Sequence, residues 1–133
     1  MTIEYLTVDD VMTIHRRTMY ASGEAFQGIR DQGVLESAVM RPQFLTHYRG
    51  TDLCEQAAVL GLGLSRSQAF VEGNKRTGQM AIVFFLDLNS HRLAADPLDL
   101  ARRILDAAQP DRDQEQAEHD LAEWLRGNVA ALP

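Results

Sequence analysis

Cysteine is nearly missing from this chain of 133 residues: the single thiol of Cys54 excludes an intrachain disulfide and any cysteine-built metal cluster. Long apolar runs are missing too, since no stretch approaches the ~20 residues a membrane-spanning helix needs. Residues 1–5 carry no basic stretch followed by an apolar run, so the expectation is a cytoplasmic protein without membrane contact. Positive charge is scarce. With 13 Lys and Arg against 19 Asp and Glu, the net charge of -6 argues against a broad basic surface for DNA or RNA. Low-complexity tracts and internal repeats are absent as well. What is left is an ordinary globular composition, 45% apolar, long enough for one sizeable core and too short for two domains of usual size. Residues 1–133 are therefore read as one domain.

Apolar spacing reads as helix nearly throughout. Thr7 and Asp10 make a capping-box pair, after which Val8, Val11, Met12, His15 and Met19 fall at helical spacing until Ser22 and Gly23. Asp31 caps a second, short helix with Leu35, Ala38 and Val39 inside, and Arg41-Pro42 is expected to end it because a residue before proline is pushed out of the helical region. Residues 43–51 are then a loop or hairpin. Asp52 and Glu55 open a third helix running to about Arg66, with Leu53, Ala57, Leu60 and Leu64 on one face and Gly61 and Gly63 leaving room for close packing. Cys54 belongs to this face and reads as a packed thiol.

A fourth helix begins near Asn74 and is apolar almost all round from Met80 to Leu88, which predicts the buried central helix. Residues 89–91 stop it. Asp96-Pro97 starts a fifth helix and Gln109-Pro110 breaks it; a last helix from about Asp113 carries Ala117, Leu121, Trp124 and Leu125, with Gly127 as its C-terminal cap. The expected class is all-α: a six-helix bundle around a buried central helix, with one loop or small hairpin.

Residues 68–78 concentrate the chemistry. A helix N-terminus offers unpaired N–H groups and the positive end of the macrodipole, which together attract anions. Gly73 permits a tight turn there, Asn74 can hold the loop through its side chain, and Lys75 and Arg76 supply charge-assisted contacts suited to a polyphosphate. Glu72 stands where one hard oxygen ligand could hold Mg²⁺ against those phosphates. The bland alternative is a plain turn with solvated first-turn cations. Against it, cations at a helix N-terminus oppose the dipole, at a cost of a few tenths up to ~1 kcal/mol each unless an anion compensates. The spacing is not that of a P-loop.

Phe70, Glu72, Gly73, Asn74, Lys75 and Arg76 resemble the H-x-F-x-[DE]-[AG]-N-[KR]-R motif of the Fic/Doc family, closest to its small Doc branch. Gly28-Ile29-Arg30-Asp31, Leu35-Glu36-Ser37-Ala38 with Arg41-Pro42, and Phe84-Phe85-Leu86 followed by Asn89 resemble further Doc landmarks in the same order, so the likeness covers nearly the whole chain. The resemblance implies a helical fold and transfer of part of a nucleotide, from ATP with Mg²⁺, onto a protein hydroxyl. It implies Glu72 as the metal-binding acid, residues 73–76 as the anion cradle, Phe70 as the buried motif aromatic and residue 68 as the base.

Lys75 sides with Doc-type kinases, which phosphorylate elongation factor Tu and halt translation. Gly73, where Doc has Ala, is similar to the wider family of adenylyl transferases, and both reactions stay open. Residue 68 is Gln68 and not histidine. An amide orients a hydroxyl but cannot take its proton, a loss typically of ~10²–10⁴-fold in rate. Gln68 is then either a change introduced to make a toxic protein tolerable or the mark of a natural pseudoenzyme that binds nucleotide or partner.

His15, His91 and His119 read as core or solvated histidines and not as substitutes. His47 falls in residues 43–51, where relatives carry a flap that aligns the target peptide. An inhibitory [ST]-x-x-x-E-[GN] stretch is not found; residues 51–56 come nearest and end in Gln56. The resemblance therefore implies a separate antitoxin chain, Phd-like, as partner.

Overall fold

Among the described residues, five of the six helices announce their starts through a polar side chain. The computed structural model describes residues 2–133. Helix α1 (Val8–Ala21) opens on the reciprocal pair of Thr7 and Asp10, and α2 (Gln32–Arg49) on Asp31, whose carboxylate accepts from Val34 N. Helix α3 (Leu53–Ser67) opens on Asp52, α5 (Pro97–Ala107) on Asp96 and α6 (Gln114–Arg126) on Asp113. These caps satisfy amides that would otherwise be orphaned at each helix start. Helix α4 (Asn74–Leu88) is the exception: it begins on Gly73 with no side-chain cap.

Pro42 does not end the second helix. Helix α2 runs on through it for seven further residues, so residues 43–49 are helical and not a loop, hairpin or flap. An interior proline removes one backbone hydrogen bond and costs ~3 kcal/mol. Packing outweighs this here: Leu35, Ala38, Val39 and Pro42 are buried, Arg41 is ion-paired with the buried Glu118 of α6, and Arg49 pairs with Glu55 of α3 at 2.6 Å. At 18 residues α2 is about 27 Å long. Its first turn adjoins the motif loop, so His47 and the supposed flap segment lie at the far end.

The central helix is α3, not α4. Residues 56–65 are all buried, because α3 packs against α2, α4, α5 and α6 and has no polar stripe to expose. Helix α4 leaves Phe84 39% and Leu88 44% exposed. The expected pair of strands also lies elsewhere. Strands β1 (His91–Leu93) and β2 (Val129–Ala131) form an antiparallel ribbon, His91 opposite Ala131, that ties the end of α4 to the C-terminal residues. Three-residue strands are too short to show alternation in sequence.

Where α3 crosses α4, the backbones nearly touch. A Cβ on Gly61 would overlap the Ile82 side chain and stand 3.0 Å from Gly78 O, and one on Gly78 would overlap Gly61 O and Ser65 Oγ. Gly63 is different, its nearest neighbour being Ala38 Cβ at 3.9 Å. The two glycines therefore respond oppositely to alanine. Gly78→Ala should destabilise by roughly 1–3 kcal/mol through overpacking. Gly63→Ala should be neutral or stabilising by up to ~1 kcal/mol through helix propensity. Urea denaturation of both variants checks the pair; equal effects would contradict the crossing.

Candidate functional site

The motif loop hangs between two helix ends and is fixed from three sides. Helix α3 stops at Ser67, and Gln68 turns the chain in the left-handed region at φ 52°, ψ 36°. Residues before α2 then clasp the loop: Arg30 N and Asp31 N donate to Ala69 O at 2.7 and 3.1 Å, and Val71 N donates to Gly28 O at 3.2 Å. The Arg30 guanidinium adds a bond from Nε to Gln68 O at 2.8 Å. Asn74 closes the loop with its amide, accepting from Phe70 N at 3.0 Å and donating to Phe70 O at 2.9 Å. Phe70 is buried, as expected of the motif aromatic.

The third support is one the sequence reading passed over. His15, fully buried on α1, stacks on Phe70 with ring centroids 3.7 Å apart and planes 4° from parallel. Its Nε2 stands 2.8 Å from Glu72 O. A carbonyl oxygen only accepts, so Nε2 carries the proton and Nδ1, buried without a partner, is bare. Burial pushes the imidazole pKa down; the Glu72 carbonyl opposes this, and the Arg76 and Arg16 charges add to it. His15 is thus a core histidine, but one whose partner is the motif loop, 57 residues away. No local spacing carries that signal.

Gly73 turns the loop into α4. Its φ of +80° disfavours other residues, and a Cβ there would stand 2.5 Å from Met19 Sδ and 3.5 Å from His15 Nε2. Thr77 N already bonds Gly73 O, leaving the amides of Asn74, Lys75 and Arg76 as the uncapped end of the helix. Glu72 and Lys75 are exposed beside it. With His15 holding the Glu72 backbone, the Glu72 carboxylate stays exposed at the loop, one hard oxygen ligand of the kind Mg²⁺ takes, but it does not itself line the cleft bordered by residues 73–76. Protein side chains alone do not make a metal cage: no cluster of three or more His, Cys, Asp or Glu suited to one occurs among the described residues.

Arg76, expected to contact a polyphosphate, is ion-paired within the chain. Its Nη1 and Nη2 meet the two carboxylate oxygens of Glu24 at 3.2 Å each. Both side chains are about two-fifths exposed, at 40% and 41%, so the pair is worth ~0–1 kcal/mol and an incoming anion can displace it. The site opens into a cleft of about 640 Å³ lined by Gln68, residues 73–76, Arg66 and the turn at residues 108–110. None of the four histidines lines it. His91 Nδ1 is engaged by Asn89 O, His119 is exposed on α6 and His47 is remote. Cys54 is half-buried, and burial pushes its thiol pKa up, which suits a packed and unreactive group. Among the described residues no helix is long and apolar enough to cross a membrane.

Two expectations follow from these contacts. Because the folded state favours neutral His15, its contribution to stability is present above the unfolded pKa of about 6.5 and is lost as pH falls toward the lower folded value. His15→Phe should remove that component of the acid-side decline, as read by denaturation at pH 7.5 and pH 5. Separately, Glu24→Gln should release Arg76 and raise affinity for inorganic tripolyphosphate by up to roughly fivefold in calorimetry. An unchanged affinity would mean that Arg76 does not face the anion.

The wider comparisons agree with this geometry. Residues 5–86 match the profile of the Fic/DOC family. The chain is 38% identical over 128 residues to a protein of Mycolicibacterium smegmatis (strain ATCC 700084 / mc(2)155) named Toxin Doc, covering 90% of this chain and 92% of that protein. With the motif loop at the mouth of α4 and the match running through nearly the whole length, this chain belongs to the Fic/Doc family, on its Doc toxin branch.

Proposed function

We propose that this chain is a Doc-like toxin component that binds ATP with Mg²⁺ and directs phosphoryl transfer to a hydroxyl of a translation factor, elongation factor Tu, at a rate cut by Gln68. The observation that carries the reading is the uncapped α4 N-terminus, with Gly73 at positive φ and two basic residues in its first turn. Elsewhere in this chain the acidic or hydroxyl cap closes the helix start; here an anion is the missing partner. Bound Mg²⁺ would supply charge neutralisation of the phosphates, with Glu72 as its protein ligand.

In the reaction the target hydroxyl oxygen forms a bond to the γ-phosphorus while the β–γ bridging P–O bond breaks and ADP leaves. The backbone N–H groups of Asn74, Lys75 and Arg76 and the two cations orient the phosphates and stabilise developing charge. The hydroxyl proton must also leave. Gln68, exposed at the cleft edge, can accept a hydrogen bond from the hydroxyl but not its proton, which would pass to solvent water by a slower route.

Adenylyl transfer to a protein hydroxyl stays as the second reading, because the glycine at 73 is the wider family's residue. In that case attack falls on the α-phosphorus and pyrophosphate leaves. A non-catalytic module that keeps the cradle without the base is the third. The name of the Mycolicibacterium relative supports placing the chain in a toxin–antitoxin pair, with a separate Phd-like antitoxin that covers residues 68–76. Residues 43–49 are helical and none of them lines the cleft, so that segment is given no flap role.

Restoring the base tests the proposal. Gln68→His should raise transfer from ATP to elongation factor Tu by roughly 10²–10⁴-fold over the chain as it stands. Label from the γ position would establish kinase activity, and label from the α position adenylyl transfer. No transfer of either label from the restored variant would remove the support for the kinase reading.

A further inference from the structure

An anion at a helix mouth is gripped over short distances: a backbone N–H···O bond is made at about 2.7–3.2 Å and weakens steeply off line, and the helix dipole acts within the first turn. The height at which the α4 mouth is held therefore governs its grip. Two side chains of α1 lie against it. We propose that His15 and Met19 are positioning residues for the anion cradle, His15 acting through the Glu72 carbonyl and Met19 through the bare Cα of Gly73. Neither side chain lines the cleft, and the proposal rests on the reading that the α4 N-terminus receives phosphate.

The two residues stand four apart on α1, so they share one face of the helix, and both are fully buried. Between them they meet four residues of the motif. His15 takes the Phe70 ring and the Glu72 carbonyl, while Met19 adjoins Gly73 and holds its Sδ 3.9 Å from Arg76 Nη2. A thioether is a weak acceptor, but this contact makes Met19 a neighbour of the backbone turn and of the cation together. Phe26 packs against the same imidazole with ring centroids 5.4 Å apart at 72°, so His15 is held by two aromatic rings.

Packing alone does not call for these side chains. A phenylalanine at 15 would serve the stack on Phe70 and would spare the core the unpartnered Nδ1; what histidine adds is the Nε2–H donor to the loop. Met19 sets the closest approach. A Cβ on Gly73 would fall 2.5 Å from Met19 Sδ, and Met19, enclosed at 0% exposure, has no room to withdraw. Glycine at 73 and methionine at 19 are thus one choice: the bare Cα lets the turn settle on the thioether, and the thioether stops it from settling further. Because Thr77 N bonds Gly73 O, the first turn of α4 moves with that Cα. A displacement of about 1 Å at a binding group can cost ~10²-fold in function, so the height is consequential.

Affinity for inorganic tripolyphosphate, read by calorimetry at pH 7.5, tests both halves. Gly73→Ala should weaken binding by at least about tenfold in the unsubstituted chain and by less than about threefold when Met19 is already alanine. The strain of a side chain at positive φ is present in both arms and cancels. His15→Phe keeps the stack and removes the donor, and should weaken binding roughly fivefold. His15→Gln, whose Nε2 stands the same number of bonds from Cα, should recover to within about twofold of the unsubstituted chain; a histidine that only packs would not be rescued by a residue with no ring. Resonances of the unsubstituted chain give a measurement that does not depend on any variant folding. The His15 Nε2–H and the Met19 methyl should shift with tripolyphosphate along with the amides of residues 74–76. Equal losses from Gly73→Ala in both backgrounds, a His15→Gln no better than His15→Phe, or shifts at residues 74–76 with His15 and Met19 unmoved would overturn the positioning roles and leave the cradle standing. Failure of the unsubstituted chain to bind tripolyphosphate would bring down the cradle, and the positioning with it.

Discussion

Everything at the site depends on Asn74 committing both ends of its amide to the Phe70 backbone. That bracket closes residues 70–74 into a turn before α4 has begun. It aims the Phe70 ring inward onto His15 and forces Gly73 into positive φ, so the first amides of α4 face the cleft with no cap of their own. An isolated four-residue turn would not persist in water, because ordering each residue costs ~1–2 kcal/mol of backbone entropy. Here the entropy is offset by burial of Phe70 and by backbone bonds to residues 28–31, which are themselves held by the start of α2. The Gly61–Gly78 contact completes the frame: it sets α4 against α3 at backbone distance and so fixes where the helix mouth points.

On that frame the electrostatics are local. A chain of net charge -6 gathers Arg30, Arg66, Lys75 and Arg76 around a single cleft. The cations there raise anion affinity at one place without making the whole surface adhesive for nucleic acid. Glu24 occupies Arg76 in the absence of an anion, which neutralises part of the charge that opposes the helix dipole. The dipole, the two cations and the uncapped amides are therefore one arrangement, which under the proposed function a phosphate completes.

Much of this was legible in the sequence because it is written in local rules. Thr7, Asp31, Asp52, Asp96-Pro97 and Asp113 marked five helix starts, and Gly73-Asn74 the sixth. The helical class and the motif followed from them. What was not legible depends on contacts between distant residues. The pre-proline rule at Arg41-Pro42 is a local preference, and packing of Leu35 to Pro42 together with the Arg41–Glu118 pair overrode it. The central role of α3 follows from having neighbours on all sides, which hydrophobic periodicity does not report; α4, apolar almost all round from Met80 to Leu88, was the natural but mistaken choice. His15 looked like any histidine on an apolar face, and its place beneath Glu72 exists only once α1 meets the loop. The Ala108–Pro110 wall read simply as a helix break for the same reason.

Gln68 separates the frame from the chemistry. It sits in the left-handed region, where a non-glycine residue carries a conformational cost of order 1–3 kcal/mol, so surrounding contacts must hold it there. Those contacts are all to backbone: Arg30 Nε grips Gln68 O, while Arg30 N and Asp31 N grip the next carbonyl. None of them involves the side chain at 68. Histidine is among the residues enriched at left-handed positions, so the backbone at 68 would receive it without new strain. The turn that would present a base is thus maintained by parts of the protein that do not depend on the base. Loss of the proton acceptor need not disturb the anion cradle, which begins five residues later at Gly73. Under the proposed function, binding and catalysis would thus rest on physically separate parts of the loop.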